Sequence, residues 1–386
     1  MDRRKFLGIV GGLIASGAVG YGLGSLTTPP KEVIKEVTKE VKVFPYYFDW
    51  SKPIYPNVTP DFTMKIGHTD SAEGYIAMKH AQAIIIKNIV ERGTKGKMQV
   101  KIYPANQLGV EKDVIEQVRI GTTECIITTE GPFAPFYPPI QVYSIPYIFE
   151  GNYAIAHEVF NSWFAKELAM DCLKTTGLQT IGIGENSGGF RNFSANKPIR
   201  KPEDLKGLKI RTMQIEMHMK MVEALGASPT PIAWGEVYSA LKTGVVDGQE
   251  NPVGVMVWGK LYEVQKYYIL DGHVYSANWV FVNANWFNKL PTEYQDLLLS
   301  AGALSATVGR GLGDYNVVEQ LGFLSAQGMD IYTPSSEELK AWAAITQPAC
   351  IDWFTKNVSG GQTWVNKLFQ AVEEAKKRIY SDRIWA

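Results

Sequence analysis

From Phe62 onward the chain switches repeatedly between two residue periods, and that alternation limits the folds open to it. Phe62-Thr63-Met64-Lys65-Ile66-Gly67 and Met98-Gln99-Val100-Lys101-Ile102-Tyr103 alternate as strands do, and Glu124-Cys125-Ile126-Ile127-Thr128 reads as a third strand. Between them, residues 75–92 carry Ala77, Ala81, Ile84, Ile85 and Ile89 at helical spacing, and residues 110–120 read as a second helix. A strand-helix-strand-helix-strand order calls for a mostly parallel sheet with helices packed on its faces. The rhythm then breaks and restarts. Thr180-Ile181-Gly182-Ile183-Gly184 is a strand, residues 202–206 a short helix and residues 208–213 a strand, followed by helices at 216–225 and 234–243 before Val245-Val246-Asp247. At 386 residues the chain also exceeds one ordinary core. Two α/β domains are therefore expected, with crossovers near Ser187 and Ser276. Leu290-Pro291-Thr292-Glu293 opens a helix with proline in its first turn, and a helical stretch over about residues 293–325 is long enough to serve both domains as a spine. Ser335-Ser336-Glu337-Glu338 contains a capping box for a later helix.

Ahead of this body lies an address. Met1-Asp2-Arg3-Arg4-Lys5 supplies a positive start, and residues 6–26 follow without a charge, which is a signal-peptide pattern. Arg3-Arg4-Lys5-Phe6-Leu7 resembles a twin-arginine export signal, although Asp2 and Gly8 depart from its usual flanks. Ser16-Gly17-Ala18 is a weak cleavage site, and the apolar segment is about the 20 residues needed to span a bilayer. Residues 1–30 are accordingly read as a signal or an N-terminal anchor, with cleavage and retention both open. In residues 31–41 a Lys-Glu-Val unit recurs every four positions, and residues 31–61 are read as a solvated stalk or passive linker.

Composition removes several function classes. Lys+Arg and Asp+Glu both number 39, so no net field favours nucleic acid. Cys125, Cys172 and Cys350 are too far apart for CxxC zinc or redox motifs and too few for a disulfide framework, and buried free thiols are the expected state. The histidines His68, His80, His157, His218 and His273 never fall at HxxxH spacing, so no metal site is expected. Neither a G-x-S-x-G elbow nor a Walker A loop is present, and no paired acid/base carboxylates stand out. Gly182-Ile183-Gly184-Glu185-Asn186-Ser187 falls short of a dinucleotide fingerprint at its last glycine. No catalysis and no cofactor are expected.

Within residues 188–252 two arginines sit in strand-like runs, Gly188-Gly189-Phe190-Arg191-Asn192-Phe193-Ser194 and Leu208-Lys209-Ile210-Arg211-Thr212-Met213. Strand alternation sets Leu208, Ile210 and Thr212 on one face and Lys209, Arg211 and Met213 on the other, so Arg211 points away from the aliphatic side. A guanidinium fork suits a carboxylate, which it grips through two parallel hydrogen bonds; an interdomain salt bridge is the plainer use of the same residue. Val246-Asp247-Gly248-Gln249-Glu250-Asn251-Pro252 follows, and Asn251 before proline also suits a turn. In open α/β sheets ligands bind outside the carboxyl ends of strands, where Arg211 and Asn251 fall.

Several linked segments then carry a family resemblance. They are Tyr103-Pro104-Ala105-Asn106-Gln107-Leu108-Gly109, Ile145-Pro146-Tyr147, Arg191-Asn192-Phe193-Ser194, Asp204-Leu205-Lys206-Gly207-Leu208-Lys209-Ile210-Arg211, Gly226-Ala227-Ser228-Pro229-Thr230-Pro231, Trp234-Gly235-Glu236-Val237-Tyr238 and residues 246–252. Over this span the chain resembles the TRAP-transporter solute-binding proteins of the DctP family. The resemblance implies an α/β, two-domain periplasmic-binding-protein-like clamshell of type II-like form, with hinge strands and a long domain-spanning helix. Domain I is expected at 62–187 plus about 277–317, and domain II at 188–276 plus about 318–386. The resemblance further implies that Arg211 is the principal carboxylate ligand, that Arg191 assists it, that Asn251 completes the polar clamp and that Trp234 packs a ring on the ligand. His68, Thr69 and Glu130 fall where substrate-sorting side chains of the first domain lie. The implied function is extracytoplasmic capture of an organic acid carboxylate, delivered to TRAP membrane permease subunits without catalysis, by a protein expected to be a periplasmic or cell-surface monomer, tethered if the N-terminus is retained. A tethered carboxylate sensor and an exported cofactor-dependent enzyme are the alternative readings.

Overall fold

A computed structural model describes residues 49–73 and 76–381. The signal or anchor segment and most of the stalk lie outside the described residues. Ten strands form one mixed sheet: β1 Phe62–Gly67, β2 Met98–Tyr103, β3 Cys125–Thr128, β4 Leu178–Ala195, β5 Lys209–Thr212, β6 Ser228–Pro231, β7 Gly248–Asn251, β8 Tyr267–Ile269, β9 Val274–Asn283 and β10 Asp330–Tyr332. Their order is β2-β1-β3-β9-β4-β7-β5-β6, with β8 also paired to β4 and β10 to β8. The two expected α/β rhythms each build a parallel set, β2-β1-β3 in one half and β7-β5-β6 in the other. Antiparallel β9 and β4 join them.

β4 runs through both halves. Sequence reading ended one strand at Gly184, set a crossover near Ser187 and read Gly188 to Ser194 as a separate strand-like run; instead one strand stays extended to Ala195. Its register with β9 breaks between Glu185 and Phe190, where Ser187, Gly188 and Gly189 take φ of 46°, 103° and 59°. Positive φ costs glycine little, so the strand can turn there without losing its course. Up to Glu185 it pairs with β9 in the first half, and from Asn192 it pairs with β7 in the second.

The expected spine is the 35-residue helix Thr292–Ala326, which follows Pro291 and is about 52 Å long at 1.5 Å per residue. It lies against β4 through facing glycines. A Cβ on Gly182 would fall 2.4 Å from Gly302 O, and one on Gly302 would fall 2.2 Å from Ile181 O, so backbone meets backbone. The Ser335 capping box forms as read: Ser335 Oγ accepts from Glu338 N at 3.3 Å, and Glu338 Oε2 accepts from Ser335 N at 2.7 Å. It starts the helix Ser336–Asn357.

Two placements differ from the sequence reading. Residues 50–61, read as linker, pack on the body: the Trp50 ring meets His80 edge-on at 4.8 Å, and Glu91 Oε2 accepts from Ile54 N at 2.6 Å. The last helix, Gly361–Ser381, sits on the segment around residues 150–167, which was read as part of the other domain. Trp163 Nε1 donates to Glu374 Oε2 at 2.8 Å, Lys376 pairs with Glu150 at 2.7 Å and Arg378 with Glu158 at 2.6 Å. These contacts join side chains more than 200 positions apart, which no local period announces. No helix among the described residues is long and apolar enough to cross a membrane.

Candidate functional site

The carboxyl ends of β1, β3, β5 and β7 open on a cleft of about 380 Å³. Arg191, Arg211, Asn251, Trp234 and Thr69 all line it. Arg211 stands near the end of β5 and is 3% exposed. Its Nε and Nη2 donate to the single carbonyl of Ile232 at 2.9 and 2.7 Å, which fixes the plane of the fork. Nη1 keeps no hydrogen-bond partner among the described residues, and its guanidinium edge is the part available to a ligand. Burial draws its pKa down to about 10, opposed by the charge of Glu250, so the group remains a cation at neutral pH.

Arg191 is fully buried, and its opposite edge is spent on Glu250. Nε donates to Glu250 Oε2, and Nη2 donates to Oε1 at 2.9 Å and to the Glu250 carbonyl at 2.5 Å. Nη1 is buried with no hydrogen-bond partner. An unpaired buried donor is costly unless something supplies an acceptor, and the site offers this one to whatever enters the cleft. Asn251 follows on β7, donating to Gln249 Oε1 at 2.5 Å while its carbonyl accepts from Tyr268 OH at 2.9 Å. Trp234 begins the short helical turn Trp234–Glu236 and lies half-buried against Trp258, ring centroids 4.8 Å apart.

Behind Arg191 runs a network that sequence reading missed. Glu250 also lies 3.2 Å from His218 Nδ1 and 3.2 Å from His273 Nε2, and His273 Nδ1 is 2.7 Å from Asp271 Oδ2. Tyr147 OH donates to the same Asp271 oxygen at 3.0 Å. Burial would raise the Glu250 carboxyl, but Arg191, with His218 and His273, holds it well below the usual carboxylate range. Burial would lower His273, yet Asp271 and Glu250 raise it.

The facing wall comes from the loop after β1 and from two helix starts. Lys79, in the helix Met78–Gly93, donates to Thr69 Oγ1 at 2.7 Å and to Glu111 Oε1 at 3.3 Å, with Asp70 Oδ1 at 3.8 Å. Asp70 Oδ2 accepts from Lys79 N at 3.0 Å, and Thr128 Oγ1 donates to Glu111 Oε1 at 2.7 Å. Asn106, Lys112 and Asp113 complete this side. Asp70, Lys79 and Glu111 were missed, although Asp70 directly follows Thr69, which the family resemblance had marked. No spacing rule marks Lys79 or Glu111.

Two expected sorting residues are not among the lining residues. Glu130 faces β9: Oε1 accepts from Ala277 N at 2.7 Å and from Trp279 Nε1 at 3.4 Å, and Oε2 from Ser276 Oγ at 3.2 Å. It anchors the helical turn Glu130–Phe133 to the sheet, and Pro132 supplies the cleft contact instead. His68 is buried, with Nε2 3.1 Å from His80 Nδ1, and opens only on a small neighbouring void. Burial, His80 and Lys79 hold its pKa well below the usual histidine value, so it is a neutral ring there. Cys125, Cys172 and Cys350 are buried free thiols.

The sequence profile described as bacterial extracellular solute-binding protein, family 7 (DctP) matches residues 69–357. A solute-binding protein of Verminephrobacter eiseniae is 35% identical over 243 residues, 63% of this chain and 71% of that one. The 2,3-diketo-L-gulonate-binding periplasmic protein YiaO of Escherichia coli is 29% identical over 77% of this chain and 88% of its own. A TRAP periplasmic solute-binding protein from Haemophilus influenzae, solved with bound L-gulonate, superposes with a TM-score of 0.74 at 29% identity, covering 80% of this chain and 99% of that one.

Proposed function

This chain belongs to the bacterial extracellular solute-binding proteins of family 7, and we propose that it captures a hydroxylated monocarboxylate between two lobes and passes it to TRAP-type membrane subunits. The observation that carries the reading is the charge asymmetry of the cleft. On the sheet-end wall Arg191 is neutralised by Glu250, whereas Arg211 has no acidic partner within ion-pair distance among the described residues. One unpaired, desolvated guanidinium calls for one carboxylate.

On the facing wall Lys79 is shared by Asp70 and Glu111, with Asp113 and Lys112 alongside, so acids outnumber bases there by three to two. Such a wall repels a second carboxylate and accepts hydrogen bonds from hydroxyl groups. The gulonate bound by a relative of this fold has that make-up, a single acid group and a chain of hydroxyls. A cleft of about 380 Å³ falls within the usual range for small-ligand sites, about 300–1,000 Å³.

Energetics require closure. Capture at about micromolar Kd takes roughly −8 kcal/mol, and each charged hydrogen bond nets about 1.5–3 kcal/mol. Arg211, the free Nη1 of Arg191 and Asn251 reach that sum only where water is excluded. The expected lobes are 62–187 with 277–317 and 188–276 with 318–386, save that the last helix, Gly361–Ser381, is ion-paired to the first; they would turn about β4, β9 and the long helix.

A thermal-shift panel of gulonate, galactonate, lactate, succinate and an uncharged sugar tests this reading, because a ligand of the folded state alone raises the Tm by mass action. Hydroxylated monocarboxylates are expected to give the largest rise. A larger rise with succinate would defeat the monocarboxylate assignment, and a response to the uncharged sugar alone would defeat the carboxylate reading itself.

A further inference from the structure

Away from the cleft, titratable side chains gather where β4 breaks its pairing with β9. His157 comes from the helix Tyr153–Asn161, Glu185 from β4 and Asp314 from the long helix, and one ligand-capable atom of each lies within 4.8 Å of the others. His157 Nε2 is 3.7 Å from Glu185 Oε2 and 4.0 Å from Asp314 Oδ2. Tyr275, from β9, places its hydroxyl 3.1 Å from His157 Nε2 and donates to Glu185 Oε2 at 3.1 Å.

The charge balance of this cluster is incomplete. Glu185 is fully buried, and among the described residues its ion-pair partner within 4.0 Å is His157 alone. Arg310 lies close by, but its guanidinium donates to Ile183 O at 2.6 Å and to Asn161 Oδ1 at 3.1 Å and makes no ion pair with either carboxylate. Asp314 Oδ1 is buried without a hydrogen-bond partner. The long helix is pressed onto the site, since a Cβ on Gly313 would fall 1.8 Å from Glu185 Oε1. That oxygen accepts from Gly188 N at 2.8 Å and faces the helix, whereas Oε2, which accepts from Tyr275, is the one that faces His157. Burial raises the Glu185 and Asp314 carboxyls to about 7, with the Glu185 charge adding to the rise at Asp314, so without an ion the pair shares a proton, and a divalent cation in its place would draw both carboxylates and the imidazole to one point.

We propose that His157 Nε2, Glu185 Oε2 and Asp314 Oδ2 bind a first-row divalent metal ion of the zinc or manganese type at the junction of β4, β9 and the long helix. Imidazole with carboxylate oxygens suits these ions, whereas calcium and magnesium prefer all-oxygen shells. Atoms at the observed separations surround a point about 2.5 Å from each or less, so a contraction of a few tenths of an ångström reaches the zinc bond lengths of about 2.0–2.2 Å. The Tyr275 hydroxyl orients the Glu185 carboxylate, as partners of metal-bound groups commonly do. Half-exposed Asp314 provides the entry path and leaves room for a water ligand. The ion would cross-link the helix Tyr153–Asn161, β4 and the long helix, and so stiffen the place where β4 changes partners. This site shares no residue with the carboxylate cleft and stands or falls independently of it.

The test uses the purified chain stripped with chelator and titrated with zinc chloride by calorimetry, with manganese chloride as a second titrant. One tight site is expected for at least one of the two ions, weakened at least tenfold by Asp314→Asn and by His157→Gln. Unchanged Tm of both variants in chelator would show that they fold. Absence of binding by either ion, or affinity the same in both variants as in the parent chain, overturns the proposal. X-ray absorption at the edge of the bound metal on the unsubstituted chain is expected to show one imidazole with oxygen ligands, and a shell without imidazole overturns it without any variant.

Discussion

Replacing Arg211 by lysine separates the charge of the proposed acid clamp from its geometry. The guanidinium is 3% exposed and held in plane by two hydrogen bonds to the Ile232 carbonyl, so its remaining edge is presented to the cleft at no further ordering cost. A lysine ammonium keeps the positive charge but is a point donor on a flexible stem, and it cannot bind Ile232 O and grip both oxygens of a carboxylate in one plane. One charged hydrogen bond to the ligand is lost, about 1.5–3 kcal/mol, which corresponds to about a 10- to 150-fold rise in Kd. The Ile232 carbonyl loses one of two donors, so stability should fall by only about 1 kcal/mol. Calorimetric titration with the tightest acid of the panel measures the first quantity and urea unfolding the second. Arg211→Ala should lose at least as much affinity as Arg211→Lys. An Arg211→Lys affinity within threefold of the parent, in a protein of unaltered stability, would refute the argument that the fork grips a carboxylate.

Glu250→Gln removes the countercharge of a fully buried Arg191 and leaves His218 and His273 facing an amide, which should cost about 3–5 kcal/mol of unfolding free energy; a loss below about 1 kcal/mol by urea titration would contradict the buried pairing. His80 should make acid destabilising, against buried Glu185 and Asp314, whose raised carboxyls take up protons in the folded chain and act in the opposite sense. Burial lowers its pKa from 6.5 to about 4, so the unfolded chain binds a proton that the folded one refuses. Its stabilising contribution is complete above about pH 6.5 and is lost as pH falls toward 4, amounting to about 3 kcal/mol. The difference in urea midpoint between the parent and His80→Phe should therefore shift in favour of the variant as pH falls from 7.5 to 4.5; equal slopes in the two proteins would assign the proton uptake elsewhere.

What was legible in the chain followed its local periods. Alternation in residues 208–213 turned Arg211 away from the aliphatic face, and the structure places it on the cleft side of β5. Asn251 came from the family resemblance, with its strand-end position in agreement, and the long helix from Pro291 in its first turn. Residues whose surroundings are made by distant segments were not legible. Glu130 stands at a strand end as a ligand-sorting residue would, but three donors from β9, nearly 150 positions later, claim its carboxylate. Glu250 looked like part of a turn motif, and its role emerges only when β4 pairs with β7 and sets Arg191 beside it.

The same distinction divides the two walls of the cleft. The wall proposed to hold the acid is built largely on strands, with Arg191 within β4, Arg211 near the end of β5 and Asn251 closing β7, and the direction of a strand side chain is set by pleat and therefore readable. The facing wall depends on Lys79 and Glu111, carried by separate helices and brought together only when β1 and β3 pair and draw both helix starts over one sheet edge. Helical spacing says which face is buried, not which charge on another helix will meet it. On the proposed function, acid preference is thus written in short motifs, whereas the choice among acids is written in tertiary contacts. Substituting Asp70 or Glu111 should alter which acid binds, and substituting Arg211 should alter whether any does.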